Sequence, residues 1–421
     1  MNTSAAPLPS RNLMVRLSGM MFLQYAIWGA WLPFLWSFLS VHRGMSGTEI
    51  GDMFAIGAVG AIVGPFIAGQ IADRYFSTEK FLAASHFVGA LLIWQLATIE
   101  SYNGFLLFSG LYGLVYAPTL SLTNSLAFHH LPDRDRDFGR VRLWGTFGWI
   151  VVGLLMGHWL AQVHAADPIA GKADAFRLSG VLGLGMAVFC LFLPRTPPSK
   201  GEQRSAPFAA MGAVRRNPLA TLFLLAIPVS CIHQFYFVHT EAFLGEKQAS
   251  APAFFQTIFG LGGGGLMTIG QMTELLVIGA IPLVAKTVSR KHLLALGLVA
   301  YALRMALFAY VDALPLPTMA TLVIGIGLHG VCFGCFIFVA FMVVDEESGA
   351  DIRASAQSLF NLVIIGCGVI VGSKIAGWVS DWTMVDGVQD YQRLFSVPMW
   401  GALACVVALV VFYPSRRSAE D

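Results

Sequence analysis

Long apolar runs alternate with short polar breaks from one end of this chain to the other. Each run holds about 20 residues, enough for a helix to cross a hydrocarbon core about 30 Å thick. In lipid the backbone must satisfy its own hydrogen bonds, and runs this long and uniformly apolar do not suit tilted barrel strands. The pattern therefore predicts about twelve helices, centred near Tyr25, Gly60, Val88, Val115, Val152, Gly183, Pro228, Glu274, Leu298, Gly330, Gly366 and Val406. The longest polar break, PRTPPSKGEQRSAP from Pro194 to Pro207, follows the sixth run and reads as a linker. The expectation is an all-α membrane protein of twelve transmembrane helices. They form two six-helix bundles, residues 1–193 and 218–421, joined by a cytoplasmic linker at 194–217.

Composition supports this reading. Hydrophobic residues make up 56% of the chain and charged ones only 12%, which overrules the soluble multidomain protein that length alone suggests. A full-length apolar run follows the short polar start without a small-residue cleavage site, so no removable signal peptide is expected. With the N-terminus inside, the inner loops and tails receive most of the basic residues, among them Arg134, Arg136, Arg140, Lys286, Arg290, Lys291, Arg416 and Arg417. The outer side receives Arg43, Lys172, Arg177, Lys247 and Arg393. Positive charge favours the cytoplasmic side, so both termini are placed there. The formal net charge of +2 gives no sign of nucleic-acid binding. All six cysteines fall inside apolar runs and read as packing residues; Cys332 and Cys335 lack a second pair for a metal site. GLGGGG at 260–265 lacks the Lys-Ser/Thr ending of a phosphate loop and reads as a bend or a close helix contact.

Polar positions inside the apolar runs carry the chemistry. TIGQMTELLVIGAIPLV, residues 268–284, holds Gln271 and Glu274 on one face. A carboxyl at that depth costs roughly 2.5–3.5 kcal/mol on insertion scales, so it needs a partner, a proton or a water-lined cavity. Comparable stripes recur: Gln24, Trp28 and Trp31 on the first run, Tyr112, Tyr116, Thr119 and Thr123 on the fourth, and Arg142, Thr146 and Trp149 on the fifth. Gln234 and Phe237 share a face on the seventh, and Gln357, Ser358 and Asn361 on the eleventh. Together they would line a cavity with aromatic planes for a flat solute and amides or hydroxyls to orient it. Each has a structural alternative. The tryptophans suit packing or interface anchoring, the threonines can bond to their own helix, and Gln24 and Gln357 can stitch helices together. No nucleotide loop, metal cluster or nucleophile–histidine–acid set is present, so neither an enzyme nor a cofactor is expected.

Six runs on either side of a basic central loop resemble the major facilitator superfamily, whose halves are built from nested inverted repeats. IAGQIAD at 67–73 and IAGWVSD at 375–381 echo one another in the way such repeats imply. Asp73 followed by Arg74 partly matches the superfamily's loop signature and implies a gating role for both. More specifically, LQYAIWGAWL (23–32), YAPTLSLTN (116–124), VRLWGTFGWI (141–150), GQMTELL (270–276), MALFAY (305–310) and IRASAQSLF (352–360) resemble, in order and spacing, the nucleoside:proton symporters.

The resemblance implies a secondary carrier in the cell inner membrane that imports nucleosides with protons by alternating access. A monomer is expected, with the solute, protons and the lipid bilayer as its partners and no nucleic acid. Gln24, Trp28, Trp31, Tyr116, Thr119, Arg142, Thr146, Trp149, Gln234, Phe237, Gln271, Glu274, Phe333 and Asn361 are the implied substrate contacts, with Glu274, Arg142 and His329 in proton coupling. Arg142 and ionised Glu274 would pair in one state of the cycle and part on protonation. The chain departs from the family at Gly334, where bacterial nucleoside permeases carry an aspartate, and at Phe237, where they carry an asparagine. Those departures keep open another neutral solute such as a sugar derivative, carried by symport or uniport. A non-transporting sensor of the same fold is a further alternative.

Overall fold

The computed structural model describes residues 8–67, 76–197, 214–349 and 352–414. Asp73, Arg74 and most of IAGQIAD lie outside the described residues. The long helices are α1 (Arg11–Trp31), α2 (Gly47–Ile67), α3 (Thr78–Leu96), α4 (Tyr102–His130), α5 (Arg134–Val163) and α6 (Ala173–Cys190). They continue with α7 (Leu219–Gln248), α8 (Gly264–Val284), α9 (Arg290–Ala309) and α10, which starts as Thr318–Cys332, becomes π-helical over Phe333–Phe338 and ends as Val339–Glu347. α11 has the same construction, with a π-helical turn at Leu362–Cys367 between Arg353–Asn361 and Gly368–Trp382, and α12 is Tyr391–Phe412. Every centre read from the sequence lies inside a helix. Ten helical stretches among the described residues are long and apolar enough to cross a membrane; α1 and α3 are not among the ten.

Local sequence sets where these helices begin. Ser10, Ser101, Asp133, Ser289 and Asp390 each turn a side-chain oxygen onto a backbone N–H of the first turn of α1, α4, α5, α9 and α12. Before α2, Ser46 and Glu49 exchange bonds as a capping box, 2.8 Å from the Ser46 N–H to Glu49 and 3.3 Å in return. Between α11 and α12 a hairpin pairs Met384–Val385 with Val388–Gln389. Its turn, Asp386-Gly387, holds φ of 49° and 80°, the pair of positive values a type I′ turn requires.

Large apolar side chains such as Leu107, Val188, Leu276, Trp378 and Val410 are exposed, whereas Gln24, Thr119, Arg304 and His329 are buried. That is the arrangement a hydrocarbon solvent selects, because polar groups have partners only inside.

The chain divides into two compact units. The first comprises Met1–Met45, Ile56–Glu202 and Pro252–Thr268; the second comprises Ser46–Ala55, Gln203–Ala251 and Ile269–Asp421. In the first, α1 packs on α5 and α6, and α3 on α4 and α6. In the second, α7 packs on α11 and α12, and α9 on α10 and α12. One set of pairings is the other advanced by six helices. Glycine permits the close crossings: a Cβ on Gly148 of α5 would lie 2.2 Å from the Phe22 carbonyl oxygen, and one on Gly372 of α11 would lie 2.7 Å from the Cys231 Cα.

Each unit also takes in a piece from the other half of the sequence. In the first, the Gly260–Gly263 bend has positive φ at Gly260, Gly262 and Gly263, and the Leu261 N–H donates to the Gly157 carbonyl at 2.8 Å. This run is a bend and a close helix contact, as the missing Lys-Ser/Thr ending implied. In the second, Asp381 of α11 accepts hydrogen bonds from the Gly47 and Thr48 N–H groups at 2.5 and 2.7 Å, and from the Thr48 hydroxyl at 2.6 Å.

Candidate functional site

Two polar constellations lie within the helices, one in each unit. In the first unit Gln24 is fully buried. Its amide nitrogen donates to the Thr119 hydroxyl at 2.8 Å, and its amide oxygen accepts from His86 at 3.0 Å. The Tyr116 hydroxyl donates to the Gln24 backbone carbonyl, and Tyr116 stacks on Tyr112 with ring centroids 5.3 Å apart. Thr119 and Thr123 also bond back to their own helix, at 2.6 and 2.9 Å. Thus Gln24, Tyr116 and Thr119 brace α1, α3 and α4 against each other, which is the stitching alternative raised by the sequence. Trp31 joins this interior, edge-on to Tyr112 and near Phe176.

A second face of α1 and α5 stays half-buried. The Arg142 guanidinium carbon sits 4.0 Å from the Tyr25 ring centroid, and Trp28 meets Trp149 edge-on at 5.6 Å. Residues 25 and 28 on α1, and 142, 146 and 149 on α5, fall on one side of each helix by their three- and four-residue spacings. The result is a cation with aromatic planes beside it, a surface suited to a flat polar solute.

The second unit holds the acid. Glu274 Oε2 lies 3.5 Å from His329 Nε2, and His329 Nδ1 lies 3.0 Å from an Arg304 guanidinium nitrogen. Arg304 is fully buried, with its guanidinium carbon 4.4 Å from the Tyr236 ring centroid and 5.1 Å from that of Tyr301. The Tyr301 hydroxyl is 2.6 Å from His233 Nδ1, and the His329 ring stacks on Tyr236 at 4.5 Å. Close crossing of α8 and α10 makes this approach possible: a Cβ on Gly330 would lie 2.3 Å from the Thr273 carbonyl carbon. The next turn obeys the same constraint, for a Cβ on Gly334 would lie 2.6 Å from Val277 Cγ1. Gly334 is a packing position here.

Of the other expected residues, Gln271 is buried one turn before Glu274, and Phe237 and Phe333 ring the histidines at centroid distances of 5.2 and 6.2 Å from His233. Thr146 is half-buried on the cationic face. Gln234 is buried against α11 near Gly372, and Asn361 is exposed. Gln357 donates to the Phe341 carbonyl at 2.9 Å and so stitches α11 to α10. Arg304, Tyr301, Tyr236, Tyr25 and His86 were not singled out from the sequence. Arg304 could have been, since a cation in the apolar run of α9 raises the same question as Glu274 does in α8.

A helical protein whose lipid-compatible exterior encloses an acid–imidazole–guanidinium chain is built as a membrane transporter. The profile described as Nucleoside H+ symporter matches residues 11–418, and the chain belongs to that family. The putative nucleoside transporter YegT of Escherichia coli is 36% identical over 425 residues, covering 96% of this chain and 94% of that protein. The xanthosine permease of the same organism is 28% identical over 412 residues, covering 96% of each. The crystal structure of the nucleoside transporter NupG superposes with a TM-score of 0.84 at 25% identity, over 96% of this chain and all of that one. The fold is therefore that of the major facilitator type.

Proposed function

We propose that the protein imports nucleosides together with protons across the cell inner membrane, by alternating access. The observation that carries this reading is Glu274, an ionisable acid within an apolar helix that leads through His329 to the buried Arg304. Membership of the nucleoside H+ symporter family and similarity to a xanthosine permease support nucleosides as the substrate class.

Substrate contacts are assigned to Trp28, Arg142, Thr146 and Trp149 on one face of the first unit, and to Phe237, Gln271, Glu274 and Phe333 within the second unit. Gln24, Trp31, Tyr116 and Thr119 support the first face from behind. Glu274 is the coupling acid, and Arg142 is assigned to proton coupling in the first unit. α1 and α3 are taken to cross the membrane along with the ten apolar stretches, which gives twelve spans in two sets of six. The six-helix displacement in the packing pattern supports that division. Both termini are assigned to the cytoplasm, and no catalytic role is proposed.

Proteoliposome uptake tests the function. Purified protein should exchange labelled uridine against internal uridine without any gradient, and should accumulate it when the outside is made acid. Glu274→Gln should keep exchange and lose accumulation; a variant that still concentrates uridine on a pH step removes Glu274 from coupling. The phenyl ring at 237, where bacterial nucleoside permeases place an amide, favours a second reading in which the solute is another neutral compound such as a sugar derivative. Competition of uridine exchange by sugars separates the two.

A further inference from the structure

The order of groups in the second unit fixes where protons can sit. A guanidinium has only donors, so the Arg304 nitrogen 3.0 Å from His329 Nδ1 requires a lone pair on Nδ1. The proton of the neutral imidazole is then on Nε2, the atom that faces Glu274 Oε2 at 3.5 Å. A doubly protonated His329 would have nothing to accept with and would set two cations against each other inside the unit. The charged and titratable groups around the ring are His233 and Tyr236 from α7, Glu274 from α8 and Arg304 from α9, with Tyr301 and Cys332 beside the guanidinium. Glu274 is the carboxylic member of that set. Two guanidinium nitrogens, Nε and Nη2, have no hydrogen-bond partner among the described residues, so His329 is the polar group against which Arg304 is aligned.

We infer that Arg304 is a positioning residue that holds His329 neutral with its proton on Nε2, so that Glu274 alone takes up the transported proton. His329 then conveys the field of Arg304 to the acid without titrating itself. This differs from the expectation that His329 takes part in proton coupling as a carrier of the proton, and it assigns a role to an arginine outside the substrate contacts. The assignment to transport rests on the symport reading above; the tautomer does not.

Two measurements keep those parts separate. Full-length protein labelled with ¹⁵N-histidine, compared with His329→Gln to identify one residue among ten, reports the ring state directly. Across about pH 5 to pH 8, where an ordinary histidine changes charge, His329 should keep the neutral Nε2–H signature. An imidazolium or an Nδ1–H signal overturns the inference, whatever the substrate proves to be. In Arg304→Met the ring loses the donor that fixes its tautomer, so an Nδ1–H signal should appear beside the Nε2–H one, and an unchanged single Nε2–H form would remove Arg304 from the positioning role; if that variant does not fold, the wild-type spectrum still decides.

In proteoliposomes His329→Gln has no group to titrate but keeps an N–H for Glu274. It should therefore retain at least half of the proton-driven uridine accumulation. Loss of accumulation with exchange intact would make His329 the proton carrier and overturn the proposal. Failure of Glu274→Gln to uncouple would sink the symport role of the acid while leaving the spectrum unchanged.

Discussion

A buried amide that serves three helices at once leaves little tolerance for change. Gln24 meets Thr119 and His86 through its side chain and Tyr116 through its backbone, all inside the first unit. Replacing Gln24 with Leu keeps the volume but strands a buried imidazole nitrogen and takes a donor from the Thr119 hydroxyl, which keeps its bond to the Tyr116 carbonyl. The stranded group costs about 1–3 kcal/mol. Gln24→Leu should thus lower the thermal unfolding midpoint of the purified protein, whereas Asn361→Leu, at an exposed position, should leave it unchanged. The sequence made Gln24 visible as a polar interruption but could not say whether it faced solute or neighbours. Stripes give the face of a helix, and only packing decides what that face meets. Glu274 was legible because a carboxyl in an apolar run always demands an explanation. Arg304 is equally exceptional, a cation in the apolar run of α9 one residue before MALFAY.

At the scale of elements, the ends of helices are where side chains from distant sequence do the most. Asp381 near the end of α11 accepts from two backbone N–H groups and a hydroxyl at the start of α2. A carboxylate there satisfies donors that the helix itself leaves open and complements its dipole. Losing such a cap costs about 1 kcal/mol. Asp381→Ala should show this as lower thermal stability, with Asp381→Asn intermediate because one oxygen acceptor remains. The run IAGWVSD was noticed in the sequence only as an internal echo. Its bonding to residues more than 300 positions away could not be read, because nothing in a helix-ending aspartate names the helix it caps. The helix cores were more transparent: each predicted centre is helical, and the start of α5 at Asp133 follows from an Asp placed before the first turn.

For the molecule as a whole, the pairings of α1, α3, α4, α5 and α6 reappear in α7, α9, α10, α11 and α12. A repeat of this kind means that one set of packing rules has been used twice on unrelated-looking residues. The apolar rhythm revealed the order of the runs and that each is helical. It did not reveal that Ser46–Ala55 and Pro252–Thr268 would each be gathered into the unit of the other sequence half, since such contacts depend on backbone approach at glycines and not on hydropathy. Orientation remains a matter of charge. If basic residues mark the inner side, Ser250→Cys before the Gly-rich bend should react with an impermeant maleimide on intact cells. Val288→Cys, flanked by Lys286 and Arg290, should react only after the membrane is opened. The reverse labelling pattern would invert the assigned topology.

The tight fit of Gly334 against Val277 also ties the tenth helix to the eighth. Any larger residue at 334 would bring its first carbon within 2.6 Å of a Val277 methyl, so that side chain has to turn or give way. A carboxylate placed there would therefore disturb the packing of α8, the helix that already bears Glu274.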